Sequence, residues 1–458
     1  MISDYWAIDN SSDEILYIQI FNLAKNDILK GRIKTGEKLP SIRRLSKSLG
    51  VSVTTVDAAY SQLLVEGYIS SLPKSGYYVS DIYKQEQELI LRPPKIEEYE
   101  ADADNTYLYD MESFDFAKWK KSMAKVFNEY SHLLHMESDS QGEYKLRYEI
   151  ARYVYSSRGV HCSPDQIVIG AGAQQLTTHL TRILRLLKIN HVSTEAPGYL
   201  PIQNIFKDAN LTITKVPIKE DGITIEKLPT NIKSLVYVSP SNQFPSGSVM
   251  PIGRRYELLK WADDNDSYIL EDDYDSELRY FGRPIPALKS LDAKDRVIYM
   301  GSFSSTLFNA IKISYVILNP QFAEVFGRIK NLYSQTCSKS EQLCLSFFME
   351  DGHYYRNIKK CRRLFSQKLN EAVRCIEKYG SDFIELTNTK SGINITLGIK
   401  TDYDLNEIVE KAKNCGVLLR PILELGDENK KMVSFYYNKI PIEIMDETIK
   451  GLINKINK

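Results

Sequence analysis

The sequence predicts an α/β protein in two parts: an N-terminal module of three helices and a β-hairpin, then a large doubly wound body. Three observations carry this prediction. The chain has 458 residues, more than one ordinary core holds. Near the N-terminus, apolar residues recur with helical period in three successive segments. Beyond about residue 105, helical patterns alternate with short β-rich runs, as in a sheet covered by helices on both faces.

Taken in order, residues 17–29 place Ile18, Ile20, Phe21, Leu23, Ala24, Ile28 and Leu29 on one face of a helix. The run Gly31-Arg32-Ile33-Lys34-Thr35-Gly36-Glu37 breaks it. Ser41 is placed to cap a second helix over 42–49, Gly50 to turn the chain, and Ser52 to cap a third helix through about Glu66. Gly67-Tyr68-Ile69-Ser70-Ser71 and Gly76-Tyr77-Tyr78-Val79, separated by Leu72-Pro73-Lys74-Ser75, read as a hairpin. A helix-turn-helix with a wing is therefore expected over residues 12–80.

Residues 81–105 lose periodicity and contain Arg92-Pro93-Pro94 and the acidic run Glu97-Glu98-Tyr99-Glu100-Ala101-Asp102-Ala103-Asp104, the composition of a linker. The body, 106–458, shows helical patterns at 119–130 and 146–155 and β-rich runs at 166–169, 234–238, 268–270 and 297–300. From about Asp351 a long helix precedes an α+β tail, with strands expected at 392–397 and 432–437.

Hydrophobic residues make up 43% of the chain and charged residues 26%, the balance of a folded globular protein. The N-terminus, Met1-Ile2-Ser3-Asp4-Tyr5-Trp6, lacks a basic and then apolar leader, and no apolar stretch approaches the roughly 20 residues a membrane span needs, so a cytoplasmic protein is expected. Six widely spaced cysteines are expected as free thiols, and the scattered histidines, His132 and His135 included, predict no metal site. The formal net charge is zero, but residues 16–80 hold nine Lys or Arg against four Asp or Glu, a local +5 balanced by −5 elsewhere. That asymmetry fits a nucleic-acid-binding module on a near-neutral body.

A helix-turn-helix sets the start of its second helix in the DNA major groove, where short polar side chains read bases and neighbouring cations meet phosphates. Ser52, Thr54 and Thr55 occupy that start; Ser41, Arg43 and Arg44 begin the preceding helix, and Lys74 lies at the wing tip. Singly, the serines read equally well as caps and the arginines as a solvated face. Together, Gly31-Arg32-Ile33-Lys34-Thr35-Gly36-Glu37-Lys38-Leu39-Pro40-Ser41-Ile42-Arg43 and Leu49-Gly50-Val51-Ser52-Val53-Thr54-Thr55-Val56 resemble the GntR-family winged helix. The resemblance implies double-stranded DNA as partner. Val53 stands where that family commonly has arginine, which implies one missing contact and an altered operator preference.

Five motifs of the body, Gly142-Glu143-Tyr144-Lys145-Leu146-Arg147, Ala171-Gly172-Ala173-Gln174-Gln175, Glu195-Ala196-Pro197-Gly198-Tyr199, Ser239-Pro240-Ser241-Asn242-Gln243-Phe244-Pro245-Ser246-Gly247 and Glu271-Asp272-Asp273-Tyr274-Asp275-Ser276-Glu277, resemble in order the MocR branch of the GntR family. That branch joins the winged helix to a fold type I aminotransferase-like domain, a pyridoxal-phosphate-dependent transferase fold. By resemblance, Gly172, Ala173 and Gln174 approach a phosphate, Tyr199 stacks on a pyridine ring, Asp272 faces its nitrogen, Tyr274 faces its phenolic oxygen, and Asn242 lines the pocket. Each also has a plain structural role open to it: a turn entering a helix, a cap, an ion pair.

The chain departs from the pattern at Gly301-Ser302-Phe303-Ser304-Ser305-Thr306-Leu307, where Ser305 takes the position of the Schiff-base lysine. Lys312 takes that of the arginine gripping the phosphate, and Lys430 or Lys431 falls where a carboxylate-binding arginine is expected. A hydroxyl cannot make the carbon–nitrogen double bond, and an ammonium replaces a bidentate fork with a point charge. The resemblance then implies a homodimeric regulator sensing an amino-acid- or vitamin B6-related molecule without covalent catalysis, pyridoxal phosphate being held only noncovalently if at all. The residues leave open a preformed cofactor–amino acid adduct, an unrelated metabolite and a pocket that binds nothing. Two other functions compete: an active aminotransferase with an appended DNA-binding domain, and a dimeric repressor that needs no ligand.

Overall fold

Helix α1 (Leu16–Leu29) buries Ile20, Ala24 and Ile28, the residues its periodicity puts on one stripe. Gly50, at φ 68°, ends α2 (Ile42–Leu49) in the left-handed conformation that a side chain resists, and α3 (Val53–Val65) follows at once. Strands β1 (Ile69–Leu72) and β2 (Gly76–Val79) pair antiparallel from Ile69–Val79 to Leu72–Gly76. Leu45, Val56, Ala59, Tyr60 and Leu63 fill the small core, and the Tyr60 hydroxyl donates to the Pro40 carbonyl at 2.9 Å, tying α3 to the approach of α2. This is the expected winged helix.

The computed structural model describes residues 6–9, 12, 14–73, 75–81, 112–280, 285–389, 391–427 and 430–457. Lys74 and nearly all of the expected linker, 81–105, lie outside them. The chain divides into two compact units, residues 1–96 and 97–458. No helix of the described residues is long and apolar enough to cross a membrane.

An eight-stranded sheet organises the second unit, with strands β3 (Ile167–Gly170), β4 (His191–Ala196), β5 (Thr212–Lys219), β6 (Gly222–Ile223), β7 (Leu235–Val238), β8 (Tyr268–Asp272), β9 (Val297–Ser302) and β10 (Ser314–Ile317). Their spatial order is β3-β10-β9-β8-β7-β4-β5-β6. Neighbours from β9 through β5 are parallel, whereas β10 runs antiparallel to β9 and β3. Every residue of β7 and β8 is buried, as expected of strands covered on both faces. Helices Ala173–Leu186 and Leu200–Asp208 cover one side, while Tyr144–Arg158 and Lys339–Glu350 bury a second cluster.

The expected long helix is His353–Gly380, and with Met445–Ile456 it packs on an antiparallel sheet of β11 (Ile384–Thr387), β12 (Ile395–Ile399), β13 (Leu419–Asp427) and β14 (Lys430–Phe435). Two of the expected strand boundaries shift. β12 starts at Ile395 rather than Gly392 because Ser391 and Asn394 are bonded outward, to Asn242 and Ser434. β14 ends at Phe435, and Tyr437 turns inward to donate to the Gly392 carbonyl at 2.6 Å.

Candidate DNA-binding face and effector pocket

In the N-terminal unit both predicted serines act as caps: Ser41 Oγ accepts from the Arg44 amide at 3.3 Å, and Ser52 Oγ from the Thr55 amide at 3.0 Å. The Ser52 hydroxyl also lies 2.7 Å from those of Thr54 and Thr55, so three hydroxyls are gathered at the start of α3. Thr54, Arg43 and Arg44 are exposed, and Val53 presents an apolar side chain beside them. Lys47, in the last turn of α2, and Asp57, exposed on α3, share this region without having been singled out by the sequence. In the wing, the Lys38 ammonium sits 5.7 Å from the centre of the Tyr78 ring.

In the large unit the candidate residues come from different motifs but converge on one edge of the sheet, the carboxyl ends of the parallel strands, where open α/β sheets bind ligands. Gly172 follows β3, Tyr199 follows β4, Asn242 follows β7, Asp272 ends β8 with Tyr274 beyond it, and Ser305 lies just past β9. The antiparallel β10 brings its start to the same edge, with Lys312 exposed just before it at φ 46°. Register fixes the neighbours, since Ser314 pairs with Gly170 on one side and Ser302 on the other.

The edge alternates donors with buried acids. Gly172, at φ 91°, opens helix Ala173–Leu186 without a side-chain cap; a Cβ there would meet nothing within 4 Å. The first-turn amides therefore have no intrahelical acceptor and have room before them, an arrangement suited to an anion. Nearby, Ser314 Oγ donates to Ser302 Oγ at 3.0 Å, and the Ser304 amide to the same oxygen at 3.4 Å.

Asp272 accepts from the Tyr237 hydroxyl at 2.5 Å. Burial pushes its carboxyl up to about 7, with Asp273 and Asp275 adding to the rise and the tyrosine bond opposing it. Asp273 differs because Arg158 grips it at 2.7 Å and Tyr299 donates to it at 2.5 Å, which hold it below the usual carboxylate range against burial. Asp275, at φ 55°, is raised to about 6 by burial, opposed by a hydrogen bond from Ser305. Glu195 is raised to about 8 by burial; Oε2 accepts from the Ser239 amide and Gln243, while Oε1 has no partner among the described residues. Asn242 is buried and accepts from Ser391 at 3.1 Å. Tyr199 is 40% exposed, edge-on to Phe244 at 6.3 Å.

The C-terminal lysines stand apart from this edge. Lys430 pairs with Glu385, and Lys431 lies opposite Ile399, on the face that Val433 and Phe435 bury against the long helix. Arg420 lies on the other face from Lys431, opposite Ser434 in the β13–β14 register and 5.2 Å from the Tyr436 ring. Glu195, Asp275 and Ser302 had a sequence signal, since each lies inside a quoted motif. Arg420 had none, because only strand pairing distinguishes it from the cations around it.

Residues 16–79 match the bacterial regulatory proteins of the gntR family, and residues 103–380 match aminotransferase class I and II. An uncharacterized HTH-type transcriptional regulator, YdeL, of Bacillus subtilis is 37% identical over 91% of this chain and 90% of its own length. The probable rhizopine catabolism regulatory protein MocR of Rhizobium meliloti is 28% identical over 91% and 88%. The solved structure of LysN, the α-aminoadipate aminotransferase of Thermus thermophilus, superposes with a TM-score of 0.67 at 20% identity, covering 76% of this chain and 90% of that one.

Proposed function

The chain belongs to the MocR-type transcriptional regulators of the gntR family, which carry an aminotransferase class I and II domain, and from that premise we propose that its large domain senses a small molecule without catalysing transamination. The observation that carries this reading is Ser305. At the position the resemblance gives to the covalent lysine stands a hydroxyl bonded to a buried carboxylate, Asp275. Transamination needs an amine there, both to attach the cofactor and to shuttle a proton.

The surrounding residues fit a pyridoxal-phosphate-like ligand held noncovalently. Its phosphate would meet the uncapped start of helix Ala173–Leu186 and the Ser302 hydroxyl, with Lys312 as the nearby cation. Asp272 would hold the proton on a ring nitrogen, Tyr274 would reach the phenolic oxygen, and Tyr199, half in solvent, would cover the ring. When covalently bound, such a cofactor supplies an electron sink for amino-acid chemistry. Here the domain's task would be to transmit occupancy to DNA binding, in a homodimer whose two winged helices engage paired half-sites through Ser41, Arg43, Arg44, Ser52, Thr54, Thr55 and Lys74.

Titrating the purified protein with pyridoxal phosphate, followed by calorimetry and absorbance, tests this. Saturable heat is expected, with no cofactor retained on a lysine after borohydride reduction and denaturation. Recovery of a lysine-linked adduct would overturn the noncovalent reading and reinstate catalysis.

A further inference from the structure

We infer that the long helix His353–Gly380 carries a second ligand site, for a small anion with two or more linked phosphate groups. The inference does not rest on the reading of the sheet-edge pocket. A cavity of about 550 Å³ opens on this helix, lined by Glu112, Lys359, Lys360, Arg363, Leu364 and Gln367, none of which belongs to the sheet edge. Its volume lies in the range of small-molecule sites, ~300–1,000 Å³. Lys360, Arg363, Leu364 and Gln367 stand at i, i+3, i+4 and i+7, so one stripe of the helix forms the wall, with Lys359 beside it.

The charges around this cavity are left unanswered by the protein. Like charges three and four residues apart on a helix repel, as Lys359 and Lys360 do with Arg363. Lys360 and Arg363 are exposed and make no hydrogen bond or ion pair among the described residues, and Lys359 rests on the Tyr355 ring, 4.5 Å from its centre. Cations just outside the cavity are engaged instead: Arg356 donates to the Asp351 carbonyl at 2.8 Å and Arg362 to the Arg279 carbonyl at 3.0 Å. The one carboxylate in the lining, Glu112, is paired with the buried Lys368, which also donates to the Asn438 carbonyl at 3.0 Å. An anion in the cavity would therefore relieve repulsion without displacing a native partner.

The helix holds these cations in place. On its buried side Asn357 donates to the Thr306 carbonyl at 2.6 Å, the Tyr354 hydroxyl lies 2.9 Å from that of Thr306, and Cys361 Sγ donates to the Ser113 carbonyl at 3.5 Å. A site on a fixed element loses little order on binding. From Lys359 to Arg363 the helix rises about 6 Å, a spread that several linked phosphates match better than one. A concave space of this size admits a small molecule and not a duplex. Half-buried Leu364 and the Gln367 amide extend the wall with the apolar surface and hydrogen-bonding group that suit a base at the end of a phosphate chain.

Calorimetric titration of tripolyphosphate into the full-length protein at physiological ionic strength tests the site. Saturable binding is expected, with inorganic phosphate weaker. Lys360→Gln combined with Arg363→Gln should weaken tripolyphosphate about tenfold, and Lys359→Gln alone by less. Both substituted side chains are exposed, and a melting temperature at or above that of the wild type separates lost binding from lost fold. Lys312→Gln at the sheet edge, and Arg43→Gln with Arg44→Gln in the winged helix, should leave tripolyphosphate affinity unchanged. Adenosine triphosphate binding more tightly than tripolyphosphate would identify the ligand as a nucleotide; equal affinity would identify the phosphate chain alone. The proposal is overturned if the wild type shows no saturable heat, if the paired variant at Lys360 and Arg363 binds as the wild type does, or if Lys312→Gln or the winged-helix pair abolishes binding. Weakened duplex affinity in the paired variant, with no tripolyphosphate binding to the wild type, would assign these cations to a DNA backbone and overturn it as well.

Discussion

Glu195 lies next to the end of β4, buried, with one carboxyl oxygen bonded and the other without a partner among the described residues. In the unfolded chain it loses its proton near the ordinary carboxyl value, whereas in the fold it keeps it up to about 8. Its contribution to stability is therefore complete below about pH 4.5 and is lost as pH rises towards 8. Thermal melts of the ligand-free protein between pH 5 and 9 should show the midpoint falling with pH, and Glu195→Gln should flatten that fall; an unchanged slope would show that Glu195 is not the source. Ser305 allows a second prediction at this scale. Ser305→Lys sets an amine beside Asp275, and borohydride should then fix pyridoxal phosphate to the variant, read as a mass increase absent from the wild type. The chemistry of Ser305 was legible in the sequence because its motif frames it. The protonation of Glu195 was not, since burial decides it and burial is a property of the fold.

The helical elements were more legible than the strands, for physical reasons. α2 and α3 each carry a serine cap and are divided by a glycine that must adopt positive φ, so local chemistry specifies them. Ser52→Ala should cost about 1 kcal/mol by removing the acceptor of the Thr55 amide. Gly50→Ala should cost about 1–2 kcal/mol through its left-handed backbone. Hydrogen exchange at the α3 amides would register both, and full protection in Ser52→Ala would show the cap to be dispensable. β4 gives no such signal: it buries Ser193, Thr194 and Glu195 beside Val192, showing neither polar–apolar alternation nor an apolar run.

For the whole molecule, a formal charge of zero conceals a basic DNA-binding module, and affinity for operator DNA should fall steeply with salt. Replacing Arg43 and Arg44 by glutamine should reduce the log–log salt slope by roughly 2 per winged helix, at about 0.9 per phosphate contact. A slope unchanged by both substitutions would remove those arginines from the interface. The formal zero carries a further consequence, because it counts every carboxyl as ionised. Glu195, Glu271, Asp272 and Glu277 are all raised by burial into the neutral range, so near pH 7 the native protein retains protons that this sum omits. Unfolding releases them. Isoelectric focusing should therefore place the native protein above the 7.0 expected from composition, and the same protein in urea nearer to it.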